Sequence, residues 1–129
     1  MTPVVSARYE NIIGPISPQN PRNGEGAIVA LRDGRLLLGW TRFTGGREDH
    51  SAADIYGRIS ENGGFTWGED FVLQENVGAQ NVMSVGFLRL RSGDLLFGYA
   101  VKHHISEACR YYVRRSADDG VSWSNPVLA

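Results

Sequence analysis

Apolar residues in this chain fall into short runs broken by Gly, Asp, Asn and Ser, a pattern of strands and not of helices. Ala27–Arg32 and Arg35–Phe43 flank Asp33-Gly34, while Val85–Arg91 and Asp94–Val101 flank Ser92-Gly93. Each pair predicts a hairpin closed by a two-residue type I′ turn. A polar loop follows each hairpin, then a third strand at Asp54–Ile59 or Arg110–Arg115 and a fourth at Glu69–Leu73 or Pro126–Leu128. The runs Leu36-Leu37-Leu38 and Leu95-Leu96-Phe97 are continuously apolar, as expected of a sheet covered on both faces. No segment carries a helical period long enough to compete. The reading is all-β, with two four-stranded antiparallel units at roughly residues 25–75 and 81–129 behind an N-terminal segment 1–24. Pro3, Pro15, Pro18 and Pro21 keep that segment out of a central strand and leave Tyr9–Ile13 as a predicted edge strand.

The link between the third and fourth strands is the same octet in both units. Ser60-Glu-Asn-Gly-Gly-Phe-Thr-Trp67 and Ser116-Ala-Asp-Asp-Gly-Val-Ser-Trp123 lie 56 positions apart, so one supersecondary unit is used twice. Its chemistry is that of a tight turn. Ser60 and Ser116 offer a hydroxyl, and Asn62 and Asp118 a side-chain oxygen, to backbone N–H groups that the turn leaves free, while Gly64 and Gly120 supply positive φ. Trp67 and Trp123 are expected to fold back over apolar neighbours.

Both octets read S-x-[DN]-x-G-x-[ST]-W, which resembles the Asp-box (BNR repeat) of the sialidase-like β-propellers of the neuraminidase superfamily. The resemblance implies four-stranded blades in which the box is structural, so Ser60, Asn62, Gly64, Trp67, Ser116, Asp118, Gly120 and Trp123 receive no catalytic role. Asn62 departs from the usual Asp, keeping the capping oxygen without its charge. A six-bladed ring at this period needs roughly 340 residues, against the 129 here. The expectation is therefore about two blades of a longer propeller whose C-terminal blades lie beyond this chain, with residues 1–24 as a possible ring-closing strand.

In an antiparallel meander, the connections between strands one and two and between strands three and four share one end. The octets mark that end. The opposite end gathers residues 20–26, 44–53, 74–82 and 102–109, which are the longest and most polar connections and the expected place for binding groups. Asp54-Ile-Tyr-Gly-Arg-Ile-Ser60 is similar to a sialidase segment that follows the loop carrying the acid/base Asp, and this implies Asp49 in that role. A loop carboxyl can serve if its surroundings match its pKa to the task. Arg42 falls near an arginine that sialidases place after their second strand to hold the substrate carboxylate, a task suited to a guanidinium fork. Arg47, Glu25 and Asn81 complete the expected pocket lining. Two departures stand out. Gly24-Glu25-Gly26-Ala27 occupies the place of the family's R-I-P triplet, and the Tyr nucleophile with its Glu partner belongs to blades outside this sequence. Tyr56, Tyr99, Tyr111 and Tyr112 are read as packing residues.

Composition changes this picture little. A net charge of −1 argues against nucleic-acid partners held by bulk charge, and no apolar segment reaches membrane-span length. Residues 1–5 lack a signal-peptide pattern, and Cys109 stands alone. His103-His104 with Glu107 is a weak metal motif, because adjacent histidines on an extended chain point to opposite faces and no third ligand is placed. Neither metal nor cofactor is expected, and compartment stays open. The function implied by the resemblance is a glycoside hydrolase of the exo-α-sialidase type acting on a carbohydrate, with this chain alone inactive. Two alternatives stand beside it: a non-catalytic glycan-binding or interaction propeller, and a propeller enzyme acting on another polysaccharide, such as a lyase.

Overall fold

The computed structural model describes residues 9–129. Among the described residues there are two four-stranded antiparallel sheets, each a plain meander consistent with a propeller blade. The first contains β1 (Arg22–Ala30), β2 (Leu36–Phe43), β3 (Ala53–Ser60) and β4 (Phe71–Gln74); the second contains β5 (Asn81–Arg89), β6 (Leu95–Lys102), β7 (Arg110–Ser116) and β8 (Val127–Leu128). No helix is long and apolar enough to cross a membrane among the described residues.

The second sheet lays the Leu95, Phe97, Tyr99 and Val101 side of β6 onto the first. Ile55, Leu73, Val82, Val85, Phe97, Tyr99 and Val101 form one buried cluster, and Leu31, Leu37 and Leu95 a second. This accounts for the apolar Leu95 and Phe97 of β6 and Leu37 of β2, while the Leu96 side of β6 borders an open hollow lined by Leu88, Gly98 and Tyr111. Leu37, Gly39 and Thr41 of β2 face the second sheet: a Cβ on Gly39 would lie 3.1 Å from Phe87 and 3.2 Å from Val85, and Thr41 Oγ1 accepts the Ser84 N–H at 3.1 Å. Trp40 and Arg42 point the other way, as strand alternation requires. They are covered by the N-terminal segment, where Asn23 accepts from Trp40 Nε1 at 3.1 Å and donates to Gly14 O at 2.6 Å.

Several boundaries differ from the sequence reading. β1 and β5 begin at Arg22 and Asn81, well before the expected Ala27 and Val85. Register shifts between Asn23 and Gly26, and between Met83 and Gly86, let the chain bulge and keep pairing with β2 and β6. The Gly-rich, polar stretch 23–26 read as a loop because it lacks strand-type side chains, yet its partner strand continues to Phe43 and supplies the ladder. The first connection spans Leu31 to Arg35 and is not a two-residue I′ turn. Gly34 has φ 90° while Asp33 stays outside the positive region, and Leu31 N–H and O bond Arg35 O and Gly34 N. Tyr9–Ile13 forms no strand. It crosses the first octet instead, with Tyr9 set edge-on to Phe65 at 5.2 Å and its hydroxyl donating to Phe65 O.

The octets close the β3–β4 and β7–β8 connections as small hydrogen-bonded cages. Ser60 Oγ and Ser116 Oγ each accept the N–H of Gly64 or Gly120 at 2.8 Å, and those glycines have φ 92° and 91°. Asn62 Oδ1 accepts the Thr66 N–H at 2.9 Å and Asp118 Oδ1 the Ser122 N–H at 2.8 Å. Trp123 packs on Phe97 within the inter-sheet core, with centroids 5.6 Å apart.

Candidate active site

The end of the sheets opposite the octets is built from the start of β1, the β2–β3 loop 44–52, the link 75–80 and the β6–β7 loop 103–109. The β2–β3 loop is held by its own backbone: Thr44 and Gly45 N–H both reach Ala52 O, at 2.9 and 3.2 Å, and Ser51 N–H reaches Glu48 O at 3.0 Å. Within it, Glu48 accepts the Ser51 hydroxyl at 3.0 Å and the Arg47 N–H at 3.2 Å. The Ser51 bond in particular holds the Glu48 carboxyl below its ordinary range.

Asp49 projects from the tip of this loop with its side chain 74% exposed, and its Oδ1 meets Arg22 Nη1 at 2.7 Å. The same Nη1 donates to Arg47 O at 3.0 Å, and the Arg22 guanidinium lies 4.5 Å from the Phe43 ring centroid. Arg22 thus joins the first strand of the sheet to the loop through one ion pair, one backbone bond and one cation–π contact. The sequence puts Arg22 in the polar connection 20–26 but gives it no role, because Gly24-Glu25 fills the place of the triplet arginine. The bulge displaces the pairing, so the arginine that reaches the loop is the one beside Pro21.

The remaining candidates separate. Asn81 is fully buried at the head of β5, where Nδ2 donates to Asp49 O at 2.8 Å and Ser51 O at 2.9 Å. It therefore anchors the loop from beneath and presents no surface to a ligand, contrary to the expected pocket lining. Arg47 and Glu25 are exposed, Glu25 at the β1 bulge. Arg42 does not join them. It lies on the opposite face of β2, 4.5 Å from the Tyr56 ring centroid and 3.2 Å from Asp70, because residue 42 alternates with Thr41, whose side chain turns toward the second sheet. Asp54, within the segment that carries the resemblance, accepts the Asn76 N–H at 2.7 Å and braces the inter-sheet link.

Against known proteins, no family model matches the sequence, and no curated protein matches it. Solved structures do resemble the fold. A protein of unknown function from Dyadobacter fermentans DSM 18053 matches with a TM-score of 0.73 and 16% identity over 87% of this chain and 37% of that one. A Hadza microbial sialidase, Hz136, matches with a TM-score of 0.67 and 16% identity over 85% of this chain and 26% of that one. The chain thus spans well under half of each neighbour, and at this identity the likeness establishes the fold alone.

Among the described residues, no group of three or more His, Cys, Asp or Glu side chains could hold a metal ion. His104 Nε2 and Glu107 face each other at 3.9 Å, while His103 Nδ1 accepts the Ala79 N–H at 3.1 Å, so the two histidines are engaged separately.

Proposed function

We propose that this chain forms two adjacent blades of a sialidase-like β-propeller, with the octets as its Asp-boxes, and that the protein they belong to hydrolyses terminal glycosidic bonds as an exo-α-sialidase does. The observation that carries this reading is the Asp49–Arg22 pair, held at the end of the sheets away from the octets. An anionic sugar competes with Asp49 for Arg22: its carboxylate can accept two parallel hydrogen bonds from the guanidinium, and Asp49, released, serves as acid/base at the glycosidic oxygen. Asn81 fixes the backbone of the loop on both sides of that event. Arg47 adds positive charge beside the entrance. The nucleophile comes from outside this chain, since Tyr56 lies beneath Arg42 on the other face of the first sheet and Tyr99, Tyr111 and Tyr112 pack in the second.

The acidic Glu25 exposed at the β1 bulge favours a second reading. It would oppose a carboxylate, so a propeller that binds neutral glycans without hydrolysis, or acts on another polysaccharide, accommodates it better. Kinetics of a longer protein carrying this chain separate the two. Asp49→Ala should lower kcat on a natural sialoside by about 10²- to 10⁴-fold and have far less effect on an aryl sialoside, whose leaving group needs little protonation. An unchanged kcat on the natural substrate refutes the acid/base role. Glycan binding without hydrolysis in the unaltered protein selects the second reading.

A further inference from the structure

A cavity of about 370 Å³ opens where the two sheets meet, bounded by Gln74 of β4, Val77 of the link between the sheets, Tyr99, Tyr112 and Arg114 of the second sheet, and His103 just after β6. It shares no residue with the Asp49 group. Its volume falls in the range of small-molecule sites.

Arg114 is the charged side chain among the residues that line it. Arg114 gives Nε to Ser124 O at 2.8 Å and Nη1 to Gln74 Oε1 at 2.9 Å, which leaves Nη2 without a partner among the described residues. Neither the Tyr99 nor the Tyr112 hydroxyl makes a hydrogen bond there, and burial pushes the Tyr99 phenol above its ordinary value, so it stays a donor. His103 accepts the Ala79 N–H through Nδ1, which leaves Nε2 as the nitrogen that carries its N–H. No acidic side chain lines the space, and Val77, Val101 and Pro126 give it an apolar wall. The cavity thus has one cation with a free N–H group and two unpaired phenols, and no carboxylate beside them.

The repeat shows what fits such a place. Tyr56 and Arg58 of β3 recur 56 positions later as Tyr112 and Arg114, and Trp40 opposite Tyr56 recurs as Tyr99 opposite Tyr112. In the first sheet the position 56 before Pro126 is Asp70, whose carboxylate lies 3.2 Å from Arg42 and 4.0 Å from Arg58. The first sheet therefore carries its own carboxylate beside this arginine. The second has Pro126 there, and Arg114 meets only a neutral amide.

We propose that this cavity binds a small monocarboxylate bearing a six-membered ring. The carboxylate sits where the first sheet places Asp70, accepting from Arg114 Nη2 and the His103 Nε2–H. The ring lies between the valine wall and the phenols of Tyr99 and Tyr112, which are stacked with centroids 6.4 Å apart.

Calorimetric titration of the whole chain with benzoate and with glucuronate tests this. Saturable one-to-one binding with Kd on the order of 1 mM is expected for ligands of this size. Benzamide and methyl glucoside should bind at least about tenfold more weakly, because loss of the charge-assisted pair is worth that factor or more. Arg114→Gln should produce the same loss. Val77→Trp, at an exposed position, fills the cavity without removing a hydrogen bond and should abolish binding even if Arg114→Gln fails to fold. The proposal is overturned if neither acid saturates, if benzamide binds as well as benzoate, or if Val77→Trp leaves Kd unchanged. A Kd that moves with Asp49→Ala also overturns it, since the acid would then occupy the loop group.

Discussion

The two octets differ at one position that tests what their charge contributes. Asn62 and Asp118 both use Oδ1 to accept a backbone N–H four residues on and a serine hydroxyl two residues back, and they differ at the second atom, where Asn62 Nδ2 donates to Thr66 Oγ1 at 2.7 Å and Asp118 Oδ2 accepts the Ser122 hydroxyl. The bonds to Asp118, the Ser122 hydroxyl first, lower its pKa from 3.8 to about 2. Since the folded value lies below the unfolded one, the stability tied to the charge is complete above about pH 4 and is lost as pH falls toward 2. Asp118→Asn keeps the capping oxygen, as Asn62 does. It should lower the urea midpoint slightly at neutral pH, with the gap to the unaltered chain closing between pH 4 and 2. A gap of constant size over that interval would show that the carboxylate charge has no part in holding the turn. These cages were readable in the sequence because every bond spans four residues or fewer. Arg22 was not readable, because its contact with Asp49 depends on where a bulge leaves the register.

At the scale of elements, the β2–β3 loop owes its shape to a residue outside it. Asn81 is buried, and both of its Nδ2 hydrogens go to loop carbonyls. Replacing it with Leu strips those carbonyls of their partner in a site closed to water, a cost of about 1 to 3 kcal/mol. Amide exchange in residues 47–52 should then rise relative to β2 and β3, while the strands keep their protection. If exchange in the loop stays as slow as before, its own backbone bonds suffice and Asn81 is only filling space. The sequence placed Asn81 near the site but gave it the wrong face, because the chain from 79 to 84 lacks the apolar alternation that marks a strand. The same deficit delayed the predicted starts of β1 and β5. In both, small and polar residues pair because a longer neighbour continues beside them, and no local propensity reports that.

For the whole molecule, the decisive contacts lie between sheets, and they are the least local in the chain. Asp119 follows the capping Asp of the second octet and has φ 60°, where the first octet has Gly63 at φ 73°. The turn therefore needs no side chain there, and the one present serves another purpose. Its Oδ2 accepts the Arg32 N–H at 2.7 Å from 87 residues away, its Oδ1 pairs with Arg89, and Arg89 reaches back to Ala30 O at 2.7 Å. Burial pushes the Asp119 carboxyl upward, but the Arg32 N–H and the Arg89 guanidinium outweigh it and leave the pKa lowered. This clasp fastens the first connection of one sheet to the β7–β8 turn of the other. Asp119→Gly removes it while suiting the backbone, and should cost about 1.5 to 3 kcal/mol for the lost bonds to a charged group. Asp119→Ala should cost roughly 1 to 2 kcal/mol more, since Ala pays for the left-handed conformation that Gly adopts freely. Urea unfolding of the three proteins, followed by tryptophan fluorescence because Trp123 sits in the seam beside Phe97, separates backbone strain from the clasp. A Gly variant as stable as the unaltered chain would mean that the two sheets are held by their apolar faces alone.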